Sequence, residues 1–214
     1  MHKGIRKLVR VAGAVIVAAA LASVATAGEY RTRVVAAGLE RPTGIAAMGS
    51  GTVYFTEVPT PGVPGTAGGR NGVRVLTLGN GAIASINDGE PEPVNLAVGK
   101  GGQLYWTCKS AGVILRKSPA GVVSLLLSGL DTPVGIAIDH KGKNLFWTEV
   151  PTPGVSGSHG GRNSVQAIDL DSMERSTVDV GDPEPTDITV ARNGNLYWTC
   201  SSAGVIVEAE PRRH

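Results

Sequence analysis

The second half of this chain repeats the first half at a fixed distance. The segment Glu57–Val63 returns as Glu149–Val155, and Tyr105–Cys108 returns as Tyr197–Cys200. Both pairs of segments are 92 residues apart. A fixed period indicates one structural unit laid beside copies of itself, so the repeat predicts the architecture before any single residue is interpreted.

Each 92-residue repeat contains two smaller units that share an aromatic strand ending in threonine. The central aromatic residues are separated by 51, 41 and 51 positions: Phe55, Trp106, Trp147 and Trp198. Units of roughly 40–50 residues made of short strands are typical of propeller blades, which have four strands each. The sequence therefore predicts an all-β fold, a four-bladed β-propeller over residues 28–214 with two blades in each 92-residue repeat. The four aromatic rings are expected to fill the space between neighbouring sheets.

Residues 1–27 have the pattern of a secretory signal peptide. Four basic residues precede the apolar run Val11–Val24, and Ala25–Ala27 supplies small residues at the cleavage positions. The apolar run is short for a membrane span, although an uncleaved N-terminal anchor is an alternative. We therefore expect a secreted or periplasmic protein with no stable membrane insertion after cleavage.

The charge balance excludes one class of partner. Removing residues 1–27 takes away four positive charges and no negative ones, so the net charge falls from +2 to about −2. No basic run or patch is left in the rest of the chain, and this argues against nucleic-acid binding.

The number of strands raises the question of how the ring closes. The last unit ends one strand short, while Arg33–Pro42 near the N-terminus resembles Val123–Pro133, a fourth strand that leads into the next blade. We therefore predict that the N-terminal strand closes the last blade, which removes exposed sheet edges and leaves a compact monomer. A fragment of a larger propeller and a dimer pairing two half-rings are the alternatives.

The aromatic motifs resemble those of known propellers. Leu-Tyr-Trp-Thr and Leu-Phe-Trp-Thr, which follow Pro-x-Gly-Ile-Ala, resemble the YWTD, NHL and gluconolactonase-like group, and Val53–Glu57 resembles the blade motif of streptogramin lyases. These families normally carry six or seven blades, so four is a departure. The family Asp after Tyr-Trp-Thr is also replaced here, by Glu57, Cys108, Glu149 and Cys200.

One face of the ring is expected to collect polar side chains. In propellers of this kind the first strand of each blade starts, and the second strand ends, on the same face, which we call the mouth. The predicted mouth carries Glu57, Asn95, Glu149 and Asp187. Converging carboxylates and an amide could hold Ca²⁺ or Mg²⁺, and the resemblance to gluconolactonase-like enzymes implies a similar Glu, Asn and Asp set. The alternative is that the glutamates bond to Arg70, Arg162 or backbone amides.

Two long loops, 59–72 and 151–163, are expected to rise on the same face. They bring Arg70, Asn71, Arg162 and Asn163 to the surface as candidate binding residues, because loops on a rigid scaffold are the usual seat of binding. His159 is the one histidine in these loops; it is either a solvated side chain or a general base beside the mouth.

The two cysteines occupy equivalent positions in blades two and four. A disulfide, buried inert thiols and thiolate metal ligation are all open for Cys108 and Cys200, and bridging would need Cα atoms within about 7 Å. The chain carries no P-loop, Gly-x-Ser-x-Gly or Glu-x-x-His motif, so the sequence offers no independent catalytic signal.

The sequence therefore predicts an exported binding scaffold that recognises a small molecule, glycan or protein at the mouth. A metal-dependent lactonase or lyase acting at the same mouth is the alternative. A structural module that needs a partner half-ring is a third reading.

Overall fold

The computed structural model describes residues 32–58, 71–89, 92–151 and 162–211. The described residues from 35 onward belong to one compact unit, and residues 32–34 belong to another. The described part contains strands and turns without a helix, and so has no helix able to cross a membrane.

In the described residues, fifteen strands make four small antiparallel sheets, which confirms the four-bladed β-propeller. Blade 1 contains β1 (Pro42–Met48), β2 (Thr52–Glu57), β3 (Gly72–Thr77) and β4 (Ala82–Asp88); blade 2 contains β5 (Pro93–Val98), β6 (Leu104–Cys108), β7 (Val113–Lys117) and β8 (Val123–Leu127); blade 3 contains β9 (Pro133–Ile138), β10 (Asn144–Glu149), β11 (Ser164–Asp169) and β12 (Arg175–Val180); blade 4 contains β13 (Pro185–Val190), β14 (Leu196–Cys200) and β15 (Val205–Ala209).

The same strand register recurs in every blade. The aromatic residue of the second strand lies opposite an aliphatic residue of the first strand: Phe55 with Ile45, Trp106 with Leu96, Trp147 with Ile136 and Trp198 with Ile188. Cross-strand pairs of aromatic and branched side chains are a favourable unit of sheet stabilisation. The repeat seen in the sequence is therefore a repeat of packing.

Neighbouring blades are held together by three apolar clusters. Trp106 is fully buried against blade 1, Trp147 against blade 2, and Trp198 against blade 3, which confirms the expected space-filling role of these rings. Buried threonines add hydrogen bonds across the interfaces. The Thr56 hydroxyl donates to the Val94 carbonyl at 3.1 Å, and the Thr107 hydroxyl donates to the Val134 carbonyl at 2.8 Å.

The predicted closing strand is not formed. Residues 32–41 carry no strand, and the described sheet of blade 4 has three strands, β13–β15. The sequence likeness to Val123–Pro133 is real at its end, because Glu40 and Asp131 donate equivalent backbone N–H bonds to Glu57 and Glu149. The described sheet of blade 4 ends at β15, so the sequence likeness to a fourth strand is not by itself sufficient for pairing.

Candidate functional site

The starts of the inner strands of blades 2 and 4 meet at the mouth. The Asn95 side-chain amide donates to the Asp187 carboxylate at 2.9 Å, although the two residues are 92 positions apart. Each side chain also accepts a bond from the next backbone N–H, that of Leu96 or Ile188. The contact therefore joins two residues whose orientation is already fixed by their own strands.

Glycines in blades 1 and 3 make this approach possible. A Cβ atom on Gly44 would lie 2.7 Å from the Asn95 Cα, and one on Gly135 would lie 2.8 Å from the Asp187 Cα. Real side chains essentially never approach this closely, so glycine is required for the inner strands to come together. At the mouth, the inner strands of blades 1 and 3 therefore carry a glycine where those of blades 2 and 4 carry Asn95 and Asp187.

Glu57, which ends β2, is fully buried and bound within blade 1. One carboxylate oxygen accepts the Glu40 backbone N–H at 2.9 Å, and the other pairs with the Arg74 guanidinium at 3.2 Å. Arg74 is itself 3% exposed and also pairs with Asp88 at 2.6 Å. The charge of Glu57 is therefore compensated by a buried cation.

Glu149 occupies the same place in blade 3 and is 1% exposed. Its oxygens accept the indole N–H of Trp147 at 2.7 Å and the backbone N–H of Asp131 at 3.1 Å. Of the predicted partners of the two glutamates, backbone amides are present, and among the described residues Glu57 also pairs with Arg74 of β3. A metal ion at the mouth would have to compete with these protein bonds.

The loop residues are only partly described. Arg162 is exposed and Asn163 half-buried; the Asn163 amide donates to the Asp182 carbonyl at 2.8 Å and its own carbonyl accepts the Gly181 N–H. Asn71 is half-buried, and its carbonyl accepts the Gly89 N–H. The candidates Arg70 and His159 lie outside the described residues.

Both cysteines are buried thiols that form no disulfide. Burial raises the pKa of the Cys200 thiol, and the negative charges of Asp182 and Asp179 raise it further. A raised thiol pKa means a small thiolate fraction, so this cysteine is a poor nucleophile. Within the described ranges no three His, Cys, Asp or Glu side chains are arranged to hold a metal ion.

Arg74 and Trp147 are the site residues that sequence reasoning missed. Arg74 is the one charged residue of the apolar strand β3, and Gly72 makes room for it, since a Cβ atom there would lie 2.1 Å from the guanidinium. In blade 3 the equivalent residues are Gln166 and Ser164. The co-occurrence of Phe55 with Arg74, and of Trp147 with Gln166, was a usable signal in the repeat.

No protein-family model matches the chain. Two curated proteins are similar to it in part: Protein cueball of Anopheles gambiae is 29% identical over 109 residues, and low-density lipoprotein receptor-related protein 5 of Mus musculus is 30% identical over 105 residues. These matches cover 49% and 46% of this chain. The chain spans 14% and 6% of the length of these relatives.

Solved structures of similar fold cover more of the chain. A nidogen/laminin complex matches 74% of this chain and 56% of its own at a TM-score of 0.61 and 19% identity. A streptogramin B lyase matches 80% and 55% at 0.58 and 20% identity, and a gluconolactonase of Xanthomonas campestris matches 75% and 58% at 0.54 and 16% identity. The predicted resemblance to YWTD, NHL, gluconolactonase-like and streptogramin lyase-like propellers is thereby confirmed at the level of the fold.

Proposed function

We propose that this protein is an exported binding scaffold that recognises its ligand at the mouth, with Asn95 and Asp187 at the centre of the contact. Export is supported by the basic and apolar pattern of residues 1–27. The observation that carries the binding proposal is the division of labour among the polar residues of the mouth. Glu57 and Glu149 are buried in structural bonds, while Asp187 is exposed and Asn95 half-exposed.

A rigid, polar and partly exposed pair suits recognition better than catalysis. Each side chain is held by its own backbone bond, so little conformational entropy is lost when a ligand binds. Together they offer acceptors and an amide donor, whereas the carboxylates that a metal-dependent lactonase or lyase would use are engaged elsewhere. The ligand class stays a small molecule, glycan or protein, and the likeness to a protein held in a nidogen/laminin complex supports a protein.

The binding proposal is tested by screening ligands against the purified chain and comparing Asn95→Ala and Asp187→Ala. Panels of glycans, small lactones and exported proteins of the same host would be screened by thermal shift, and hits measured by calorimetry. We expect the Kd for a hit to rise at least about tenfold in either variant, because a hydrogen bond to a charged group contributes about 1.5–3 kcal/mol.

The chain offers a matched control at the other end of the inner strands. The Asn144 amide donates to the Asp139 carboxylate at 2.8 Å, so Asn144→Ala removes the same kind of bond away from the mouth. This control should bind the ligand as the unsubstituted chain does. Ligands that bind equally to Asn95→Ala and Asp187→Ala would place recognition elsewhere.

A metal titration tests the enzyme alternative. A ligand at 100 times its Kd adds about 2.7 kcal/mol to the free energy of unfolding, which would shift the melting temperature by several degrees. We expect no large shift with Ca²⁺ or Mg²⁺. A shift of several degrees that is lost in Asp187→Asn would favour the metal-dependent lactonase or lyase.

A further inference from the structure

Blades 1 and 4 are the first and last in the series of packed blades. Each of them exposes a face whose counterpart is buried in the other blades. Ile45 of blade 1 is 72% exposed, whereas Leu96, Ile136 and Ile188, which hold the same register position in the other blades, are 3–6% exposed. At the other end Ile206 of blade 4 is 72% exposed, whereas its equivalent in blade 2, Ile114, is fully buried. Single exposed aliphatic residues are common on protein surfaces. Ile45 and Ile206, however, each belong to a blade face whose counterpart in another blade is buried.

The exposed face of blade 1 contains a ready-made cavity. It has a volume of about 320 Å³ and is lined by Leu39, Ile45, Val53, Phe55 and Leu76, among others. In blade 3 the equivalent residues surround Ile114 of blade 2 in one apolar cluster: Leu130, Ile136, Leu145, Trp147 and Ile168. The cavity on blade 1 therefore corresponds to the apolar site on blade 3 in which Ile114 of blade 2 is buried.

The exposed face of blade 4 carries the side chains that fit such a cavity. Ile206 and Tyr197 lie 92 positions after Ile114 and Tyr105, their counterparts in the first repeat, which are buried at the interface of blades 2 and 3. Thr199 is exposed, whereas the threonines equivalent to it in blades 1–3 are fully buried. Two of those, Thr56 and Thr107, donate to a backbone carbonyl of the next blade.

The backbone at this end is also prepared for a contact. Gly112 of blade 2 has a φ of +62° and accepts the Leu130 backbone N–H at 2.9 Å. Its equivalent Gly204 has nearly the same φ, +65°, yet a Cβ atom built there would meet nothing within 4 Å. The counterpart of Leu130 is Leu39, which lines the cavity on blade 1.

From these matched faces we propose that a second copy of this chain docks head to tail, with the Ile206 face of blade 4 seated in the blade 1 cavity of its neighbour. The occupant is a copy of this chain because blade 4 carries the counterparts of the blade 2 residues that pack against blade 3. The interface of blades 2 and 3 therefore shows how blade 4 of one copy fits against blade 1 of another. In the assembly Thr199 donates to the Thr43 carbonyl of the neighbour, and Gly204 accepts the neighbour's Leu39 N–H. This proposal does not depend on what the mouth binds.

Head-to-tail docking gives a heterologous interface, which has different surfaces on its two sides. Such an interface forms rings when its rotation closes and open chains when it does not. Val35 and Ala36, which correspond to Leu126 and Leu127 of the strand β8, already line the cavity. They would therefore lie beside the edge strand β15 of the docked copy, which accounts for the resemblance of this segment to a fourth strand.

The first experiment measures the mass of the purified chain in solution. Sedimentation from about 1 to about 100 μM covers the range in which a micromolar Kd is visible. We expect a dimer or larger assembly, and we expect Ile45→Glu and Ile206→Glu each to raise the Kd at least about tenfold. Leu125→Glu is the control: Leu125 is an exposed leucine on blade 2, 56% exposed and outside the proposed interface, and this variant should assemble like the unsubstituted chain.

Mixing the two variants tests the head-to-tail geometry. Ile45→Glu keeps its blade 4 face and Ile206→Glu keeps its blade 1 face, so the mixture should form a heterodimer at a concentration at which each variant alone is a monomer. An interface that joins identical faces would give no such complementation and would overturn the proposal. A monomer at every concentration, with a disulfide inside one chain in Ile45→Cys/Ile206→Cys, would overturn it in favour of closure within one molecule.

Discussion

Blades 1 and 3 solve the same electrostatic problem in different ways. Both bury a glutamate at the end of the second strand, where each accepts a backbone N–H from the preceding linker. Among the described residues, blade 1 adds the buried cation Arg74 to Glu57, whereas blade 3 adds the neutral indole N–H of Trp147 to Glu149. A buried carboxylate therefore needs donors at this position, and a full opposite charge is one way of supplying them.

The difference between blades 1 and 3 involves three positions in each blade. Phe55 has no polar group to offer Glu57, and Gly72 leaves the space in which the Arg74 guanidinium lies. In blade 3 Trp147 supplies the donor, Ser164 fills the place of the glycine, and Gln166 accepts the Thr177 hydroxyl at 3.1 Å. Each set is internally consistent, so single exchanges between blades should be costly and complete exchanges mild.

The largest effect is expected from Arg74→Gln, which gives blade 1 the glutamine of blade 3 without its tryptophan. Removing one partner of a buried ion pair costs about 3–5 kcal/mol, because a charge is left buried without its cation. Urea unfolding would measure the loss in free energy of unfolding. The triple variant Phe55→Trp/Gly72→Ser/Arg74→Gln should recover most of it, and a loss below about 1 kcal/mol for Arg74→Gln would mean that the pair is not stabilising.

A smaller effect is expected from Trp147→Phe, which gives blade 3 the ring of blade 1. The ring still fills the cluster between blades 2 and 3, but the bond to Glu149 is lost at a cost of about 1.5–3 kcal/mol. Adding Ser164→Gly and Gln166→Arg should restore stability by supplying the cation. Trp198→Phe is the comparison variant, and its loss should be smaller because its partner Asp182 is half-exposed and can bond to water.

The architecture could be predicted because it depends on short-range patterns repeated four times. Strand bounds follow from aromatic and branched residues between turns, and the meeting of Asn95 with Asp187 follows from their equivalent positions at the starts of inner strands. The closing strand was predicted wrongly for a physical reason. Local sequence gave Arg33–Pro42 the character of a fourth strand, but pairing depends on where blade 4 lies, which the packing of three interfaces decides together.

The pairing of Glu57 with Arg74 was not predicted, because it depends on the space available beside the strand. Alternation along β3 does not identify Arg74 as buried, because residues 72–76 are all buried or half-buried whichever face of the strand they lie on. Only the vacant space at Gly72 lets the Arg74 side chain turn back toward Glu57. Arg74 can therefore donate to Glu57 because the residue two positions earlier, Gly72, has no side chain in the way. A pattern of charges in the sequence does not show this.

The smallest effect is expected at the fourth strands, where blade 3 carries Asp179 and blade 1 carries its equivalent Asn87. Burial raises the pKa of the Asp179 carboxyl, and the neighbouring charge of Asp182 raises it further. The native chain therefore holds this proton more tightly than the unfolded chain does, so the contribution is fully present below the ordinary aspartate pKa and is lost as the pH rises through the raised one. Asp179→Asn, which installs the residue of blade 1, should flatten this part of the profile of unfolding free energy against pH. Above that window the variant should be more stable than the unsubstituted chain by about 0.5 kcal/mol, a small figure because the group is partly exposed. Parallel profiles for the two proteins would show that Asp179 does not titrate abnormally and that the two fourth strands differ in sequence alone.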